Sequence, residues 1–168
     1  MKIFLIGFMG SGKSTMGRKL ASYLKYEFID LDKILELKAG MSISDFFEQN
    51  GEDDFRKLEK NTLQGGNFND HTIIATGGGA PCYFDNMDWM NNNGVTVYLT
   101  MPSKTLASRL KHASDRPLIE GMTEEELLQY INEKLNEREP SYKKAQFIIS
   151  GIDLTVEKLA QYLEPSLN

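Results

Sequence analysis

The sequence predicts an α/β fold of three layers, in which helices cover both faces of a five-stranded parallel sheet. The chain has 168 residues, of which 40% are hydrophobic, which is enough for one domain with its own core. Short apolar or β-branched runs alternate with segments of helical periodicity. Helices that follow strands in this alternation are typical of parallel βαβ units with right-handed crossovers.

The first strand is predicted over residues 2–6, a short apolar run closed by Gly7. A helix follows over residues 12–24, where apolar side chains recur at helical spacing. Residues 28–31 form the second predicted strand. The apolar start of the chain resembles a secretory signal, but it continues into glycines and Lys13 without a small-residue cleavage site. We therefore interpret it as a strand.

Two helices are predicted next. Ser42 stands at an N-cap position with Asp45 three residues later, and Gly51 ends that helix. A second helix covers residues 53–63. The remaining strands are predicted over residues 72–76, 95–99 and 147–149, which are β-branched or apolar.

Between the last two strands, Thr123 and Glu126 form a capping-box pattern that opens a long helix to about Arg138. The polar segment 111–121 contains Pro117 and Gly121 and is predicted to be a loop and a candidate lid.

Composition excludes several classes of function. The net charge of −5 disfavours a nucleic-acid-binding surface, which needs clustered Lys and Arg. A single cysteine, Cys82, cannot form an internal disulfide, and His71 and His112 lie too far apart in sequence to suggest a metal cluster. No apolar run approaches the roughly 20 residues of a membrane span. We expect a soluble, cytoplasmic protein.

The strongest chemical signal is residues 7–14, which match the phosphate-binding pattern G-x-x-x-x-G-K-[ST]. The motif follows a predicted strand and opens a predicted helix, so backbone N–H groups and the helix N-terminus converge on phosphate. Lys13 would reach the β and γ phosphates of ATP, and Ser14 would ligate Mg²⁺. The alternative is a structural glycine-rich turn, which does not require Lys-Ser at this spacing. The residues predicted to bind nucleotide here are Gly10, Ser11, Gly12, Lys13, Ser14 and Thr15.

Arginines are scarce in this chain, five against fourteen lysines. A planar, permanently charged guanidinium matters most where a carboxylate or phosphate must be gripped by two hydrogen bonds. The arginines in suggestive positions are Arg56, Arg109, Arg116 and Arg138. Taken singly, each could equally be solvated surface, as is expected for Arg18.

Asp30 and Asp32 follow the second predicted strand, and residues two apart in an extended chain point to the same side. At the carboxyl end of a parallel strand, two carboxylates could orient a hydroxyl nucleophile and support a metal. The alternative for Asp32 is a helix cap or first-turn acid, and both roles can coexist.

Three glycines at 77–79 end the third predicted strand, where many phosphate-loop proteins have an aspartate that helps to hold Mg²⁺. Such a run suits close approach of main-chain N–H groups to a ligand, although a flexible turn is the plain alternative. Cys82, nearby, is interpreted as a packed apolar residue.

In matching order along nearly its whole length, the chain resembles the shikimate kinases. The motifs that carry the resemblance are the phosphate loop at 7–14, Asp30-Leu31-Asp32, Gly51-Glu52 with Phe55-Arg56 and Glu59, Gly77-Gly78-Gly79, Arg116-Pro117-Leu118, and Arg138 with Tyr142. The resemblance implies a phosphate-loop kinase fold like that of nucleoside-monophosphate kinases, and transfer of phosphate from ATP to the 3-hydroxyl of shikimate. It also implies one domain over residues 1–168, with a mobile lid near 111–122 and a substrate-binding helical segment near 32–62.

For the acceptor, the resemblance implies that Asp32 binds and orients the hydroxyls of shikimate. Arg56 and Arg138 would clamp its carboxylate, and Gly78 and Gly79 would contact it from the backbone.

For the donor, the resemblance implies that Asp30 supports Mg²⁺ through water, Arg109 lies against the adenine, and Arg116 in the lid meets the transferring phosphate. The segment 150–155 lacks the proline expected in the adenine-contacting loop. The catalytic residues implied are Lys13, Asp32 and Arg116.

Rival interpretations are a kinase of the same fold that acts on gluconate or a nucleoside monophosphate, and a nucleotide-binding switch without catalysis. The acidic pair and the triple glycine disfavour the first. The absence of an Asn-Lys-x-Asp motif disfavours a GTPase. We expect a monomer whose partners are ATP and shikimate, with no nucleic-acid or membrane partner.

Overall fold

The computed structural model describes residues 1–112 and 119–167. It contains five strands, β1 Lys2–Ile6, β2 Glu27–Asp30, β3 Thr72–Ala75, β4 Val95–Thr100 and β5 Phe147–Ser150. The helices in the described residues are α1 Lys13–Leu24, α2 Leu31–Ala39, α3 Ile43–Gln64, α4 Asn86–Asn93, α5 Ser103–Lys111, α6 Glu124–Tyr142 and α7 Val156–Leu167, with a 3₁₀ turn at Ala80–Cys82.

The strands form one sheet in the order β2-β3-β1-β4-β5, and every neighbouring pair is parallel. The predicted fold class is therefore confirmed. In such a sheet the carboxyl ends of all strands lie along one edge, where ligands of α/β proteins bind. The segments after β1 and β3 carry the phosphate motif and the triple glycine, and the acidic pair spans the junction of β2 and α2. This edge therefore collects the residues of the predicted site.

Helices pack on both faces because alternate residues of each strand point to opposite sides. Phe4 and Ile6 of β1 belong to a core shared with α2 to α6. Ile3 and Leu5 belong to a second core shared with α1 and α7. All four side chains are fully buried, as expected for a central parallel strand covered on both sides.

The capping predictions are confirmed. Ser42 accepts a hydrogen bond from the Asp45 backbone N–H at the start of α3. Both bonds of the capping box at Thr123 and Glu126 are present at the start of α6. Gly51 breaks the helical conformation inside α3 at φ 81°, which divides the helix as predicted.

Two local predictions are wrong. β2 ends at Asp30, and Asp32 lies in the first turn of α2, so the extended-chain argument for pairing the two carboxylates fails. The reason is that Leu31 is fully buried and begins the helix. α6 continues past Arg138 to Tyr142, whose ring is also fully buried and anchors the last turn.

Residues 113–118 of the predicted lid, Arg116 among them, lie outside the described residues. Within the described parts of the chain, no helix is both long enough and apolar enough to cross a bilayer.

Candidate active site

The phosphate motif forms a loop between β1 and α1 at the carboxyl edge of the sheet. Gly10 and Gly12 have φ of 80° and 94°, in the left-handed region that favours glycine. Gly12 is the N-cap of α1. A Cβ at Gly7 would lie 2.8 Å from the Leu99 carbonyl oxygen of β4, so only glycine fits there. The loop therefore presents backbone N–H groups and a helix N-terminus together.

Lys13 is buried in this loop with 8% of its surface exposed. Its Nζ donates to the carbonyl oxygens of Gly7 and Phe8 at 2.8 and 2.9 Å. Beside it, the Oγ of Ser11 is buried and finds no hydrogen-bond partner among the described residues. A buried hydroxyl without a partner is costly, and a bound anion would satisfy it.

Ser14 and Asp30 come together, as the metal prediction requires. The Oγ of Ser14 donates to Oδ2 of Asp30 at 2.9 Å, and Oδ1 of Asp30 accepts from the Asp32 backbone N–H at 3.2 Å. The cap thus fixes the carboxylate toward the phosphate loop. The described residues contain no cluster of three or more His, Cys, Asp or Glu side chains that would hold a metal alone. A pair of oxygen ligands suits Mg²⁺, which keeps several waters and takes phosphate oxygens.

Asp32 lies against the glycine run after β3. A Cβ at Gly77 would meet Oδ1 of Asp32 at 2.8 Å and Oε2 of Glu59 at 3.3 Å. The missing side chain leaves room for two carboxylates at this point. Burial raises the pKa of Glu59, an effect that the Arg56 guanidinium counters only in part and the Asp32 carboxylate adds to.

Arg56 extends from α3 into the same site and is 8% exposed. Its NH1 donates to Oε1 of Glu59 at 2.9 Å, and its NH2 lies 3.5 Å from Oε1 of Glu52. Its Cζ lies 4.0 Å from the ring centroid of Tyr83, within cation–π range. Burial disfavours the charge, but the Glu59 and Glu52 carboxylates outweigh it and raise the pKa of Arg56. Its Nε is buried and finds no hydrogen-bond partner in the described part of the chain.

Gly78 and Gly79 separate the two arginines that the sequence proposes as a clamp. A Cβ at Gly79 would meet Arg56 NH1 at 2.4 Å, and a Cβ at Gly78 would meet Arg138 NH1 at 3.1 Å. The Cβ built at Gly78 would also lie 3.5 Å from the Met9 backbone nitrogen in the phosphate loop. Both guanidinium groups therefore pack on the backbone of the glycine run, which lies beside the phosphate loop.

Two aromatic residues position Arg138 at the site. Its Cζ lies 5.5 Å from the ring centroid of the buried Phe8, and the hydroxyl of Tyr142 donates to the Gly78 carbonyl oxygen. This bond connects the last turn of α6 to the glycine run and so fixes the position of Arg138 relative to the carboxyl edge of the sheet.

Arg109 lies on the other side of the phosphate loop, at the end of α5. Its NH1 donates to the Gly10 carbonyl oxygen at 3.1 Å. It borders a cleft of about 310 Å³, whose lining also includes Thr15, Gly151 and Leu154. A cleft lined by a flat guanidinium and an aliphatic side chain is suited to a planar ring. In this chain Leu154 contributes to the cleft from the segment in which the sequence lacks the expected proline.

Sequence reasoning missed Tyr83, which stands in no pattern that indicates a ligand and reaches the site only through tertiary contacts. Tyr142 did stand in a motif with Arg138, but the sequence assigned no role to its hydroxyl. Glu52 and Glu59 did stand in the motif with Arg56, and their spacing of i, i+4 and i, i+3 from it was the available signal.

Comparison with known proteins gives a consistent assignment. The family model described as Shikimate kinase matches residues 9–167. A shikimate kinase of Bacteroides fragilis is 43% identical over 173 residues, covering 97% of this chain and 96% of that protein. The crystal structure of shikimate kinase from Bacteroides thetaiotaomicron superposes with a TM-score of 0.94 at 38% identity, covering 98% of both chains.

The shikimate kinase from Acinetobacter baumannii, solved in complex with shikimate, has a TM-score of 0.84 at 34% identity and covers 99% of this chain and 92% of that chain. Fold, motif order and near-complete matches in both sequence and structure lead to one assignment. The chain belongs to the shikimate kinase family.

Proposed function

We propose that this chain transfers the γ-phosphate of ATP to the 3-hydroxyl of shikimate. The observation that carries the proposal is the pair of arginines, Arg56 and Arg138, which pack on adjacent glycines beside the phosphate loop. This arrangement supports an organic-anion site next to a triphosphate site. Membership of the shikimate kinase family supports the same reaction.

At the donor end, the phosphate loop would hold the triphosphate with its backbone N–H groups. Binding would draw Lys13 from the carbonyl oxygens of Gly7 and Phe8 toward the β and γ phosphates, where its charge offsets the negative charge of the transition state. Arg109, Leu154 and the cleft between them would take the adenine.

Ser14 and Asp30 fit Mg²⁺, with Ser14 as a direct ligand and Asp30 acting through water. The bound ion would neutralise phosphate charge and orient the transferring group. Without the ion, Asp30 accepts from Ser14, so these two groups would remain correctly placed for it.

At the acceptor end, Arg56 and Arg138 would grip the carboxylate, whose charge-assisted hydrogen bonds would satisfy the orphaned N–H of Arg56. Gly78 and Gly79 would contact the substrate from the backbone. Asp32, half-buried at the start of α2, would orient the hydroxyl that attacks the γ-phosphate.

Phosphoryl transfer requires mainly alignment and positive charge, so few covalent steps fall to the protein. Arg116 and a lid near 111–122 would complete the charge around the transferring phosphate and exclude water. Residues near 32–62 would form the substrate-binding helical segment of a single domain. We also propose that the enzyme is a cytoplasmic monomer without nucleic-acid or membrane partners. The net charge of −5 supports the absence of a nucleic-acid partner.

A coupled assay tests the proposal by presenting ATP and Mg²⁺ with shikimate, gluconate or a nucleoside monophosphate in turn. We expect ADP release with shikimate alone, together with a product whose mass exceeds that of shikimate by one phosphate group. Lys13→Met should abolish the turnover. Equal or faster turnover of either rival acceptor would overturn the assignment.

A further inference from the structure

The guanidinium of Arg56 shares a carboxylate with a tyrosine. Oε1 of Glu52 accepts from the Tyr83 hydroxyl at 2.7 Å and lies 3.5 Å from Arg56 NH2. The first distance is that of a strong hydrogen bond, and the second is at the limit of one. Glu52 is therefore bound to Tyr83 and only loosely associated with Arg56.

Glu52 is an exposed anion beside a break in the helix. It lies one residue after the kink at Gly51, and its side chain is 53% exposed. The Tyr83 hydroxyl is the foremost cause that holds the pKa of Glu52 below its ordinary value, so the carboxylate keeps its charge. Such a carboxylate would pair with Arg56 unless another donor held it.

Tyr83 is placed by a turn that is strained and anchored. Phe84, the next residue, has φ of 51°, which is unfavourable for an aromatic side chain. Gln64 at the end of α3 donates to the side chains of Asp85 and Asn86 at 2.8 and 3.0 Å, and buried Asn86 donates to the Ala80 carbonyl oxygen at 2.9 Å. These bonds hold the tyrosine ring over Arg56.

We propose that Tyr83 is a positioning residue for the acceptor clamp: its hydroxyl holds Glu52 back, so that Arg56 offers its free N–H groups to the substrate carboxylate instead of to Glu52. The inference rests on the proposed function, because it assigns a supporting residue to the same carboxylate site. Glu59 secures one side of the guanidinium at 2.9 Å, and Tyr83 keeps the other side available.

The consequence of removing the hydroxyl follows from competition. In Tyr83→Phe the ring still covers the guanidinium, but Glu52 loses its stronger partner. Its carboxylate then closes on Arg56 NH2 and competes with the substrate at very high local concentration. Glu52→Gln removes the competing charge and should relieve the defect.

The test measures steady-state constants for wild type, Tyr83→Phe, Glu52→Gln and the double variant. Tyr162→Phe, at an exposed position of α7, is the matched control. We expect Tyr83→Phe to raise the shikimate KM about three- to tenfold, the range given by loss of one hydrogen bond of modest net strength. The kcat and the ATP KM should stay unchanged. Glu52→Gln and Tyr162→Phe should not raise the shikimate KM.

The double variant decides the mechanism, because its shikimate KM should return to near the wild-type value. A double variant as impaired as Tyr83→Phe would show that the hydroxyl acts by some route other than restraining Glu52, and an unchanged KM in Tyr83→Phe would show no role. Either result overturns the inference while leaving shikimate turnover by the wild type intact. Wild-type inactivity toward shikimate would instead overturn the proposed function.

Discussion

Replacing Gly79 with alanine tests the clamp with a single added methyl group. The new Cβ would meet NH1, NH2 and Cζ of Arg56 at 2.4, 2.6 and 2.8 Å, all well inside normal contact. Gly79 has φ of −87°, which alanine adopts freely, so the backbone conformation itself adds no strain. The three nearest atoms to the added methyl group all belong to the guanidinium, which is therefore the group that must move.

Arg56 would have to move by about 1 Å to restore ordinary carbon–nitrogen contact. That movement opposes the 2.9 Å bond to Glu59 and the packing on Tyr83. Overpacking of this kind costs about 1–3 kcal/mol, and the reduced entropy of the unfolded alanine chain returns about 0.4–1 kcal/mol. We expect the free energy of unfolding to fall by about 0–2.6 kcal/mol, or about 1.3 kcal/mol at the midpoints of the two ranges.

The larger effect should fall on the acceptor. A displaced guanidinium loses charge-assisted hydrogen bonds of about 1.5–3 kcal/mol, which corresponds to a rise of about tenfold to a hundredfold in the shikimate KM. The ATP KM should change little, because the phosphate loop is untouched by the methyl group. Urea unfolding and steady-state kinetics measure both quantities.

Gly78→Ala is the matched comparison, because its Cβ would stop 3.1 Å from the flexible end of Arg138. It should raise the shikimate KM less than Gly79→Ala. A shikimate KM equal to that of the wild type in Gly79→Ala would refute the argument that this guanidinium must sit against the backbone to bind the substrate.

Arg56→Lys should raise the shikimate KM about tenfold or more and leave the ATP KM unchanged, because lysine cannot both keep its bond to Glu59 and bind a carboxylate with two hydrogen bonds. Arg18→Lys, at an exposed position of α1, is the control. An equal loss of affinity for both substrates in Arg56→Lys would indicate a structural role. Because the folded protein holds the Glu59 proton more tightly than the unfolded chain, the stability that Glu59 contributes is full below its ordinary pKa of 4.5 and is lost as pH rises through the raised pKa. Urea unfolding at about pH 4.5 and about pH 7.5 should therefore show wild type losing stability relative to Glu59→Gln as pH rises, and a constant difference would contradict the raised pKa. Asp30→Asn keeps the helix cap but removes the negative charge. The Mg²⁺ concentration that gives half-maximal turnover should therefore rise about tenfold to a hundredfold. An unchanged Mg²⁺ concentration for half-maximal turnover would show that Asp30 does not support the metal.

Local chemistry explains which parts of the fold could be predicted. Ser42 and Thr123 cap their helices by bonds within three residues, and the central strands are read from apolar runs that parallel pairing buries on both faces. The phosphate loop was recognisable because its glycines, lysine and serine must stand at fixed spacing to do their work.

Predictions failed where burial elsewhere in the molecule overrides the local pattern. Leu31 is drawn into the core as the first residue of α2, which ends β2 a residue early and removes the extended geometry assumed for Asp30 and Asp32. Tyr142 extends α6 across Pro140 because its buried ring packs against Tyr98.

By itself, the sequence determined the parallel α/β fold, the phosphate loop and the residue types of an organic-anion site, because each depends on short-range spacing or on side-chain chemistry. Only the tertiary structure decided how Arg56 is held. Glu52 and Glu59 reach it from its own helix, but Gly79 and Tyr83 reach it from the segment after β3. Contacts between segments distant in sequence depend on the order of the strands in the sheet, which brings the segments after different strands to the same edge. No local sequence pattern encodes these contacts.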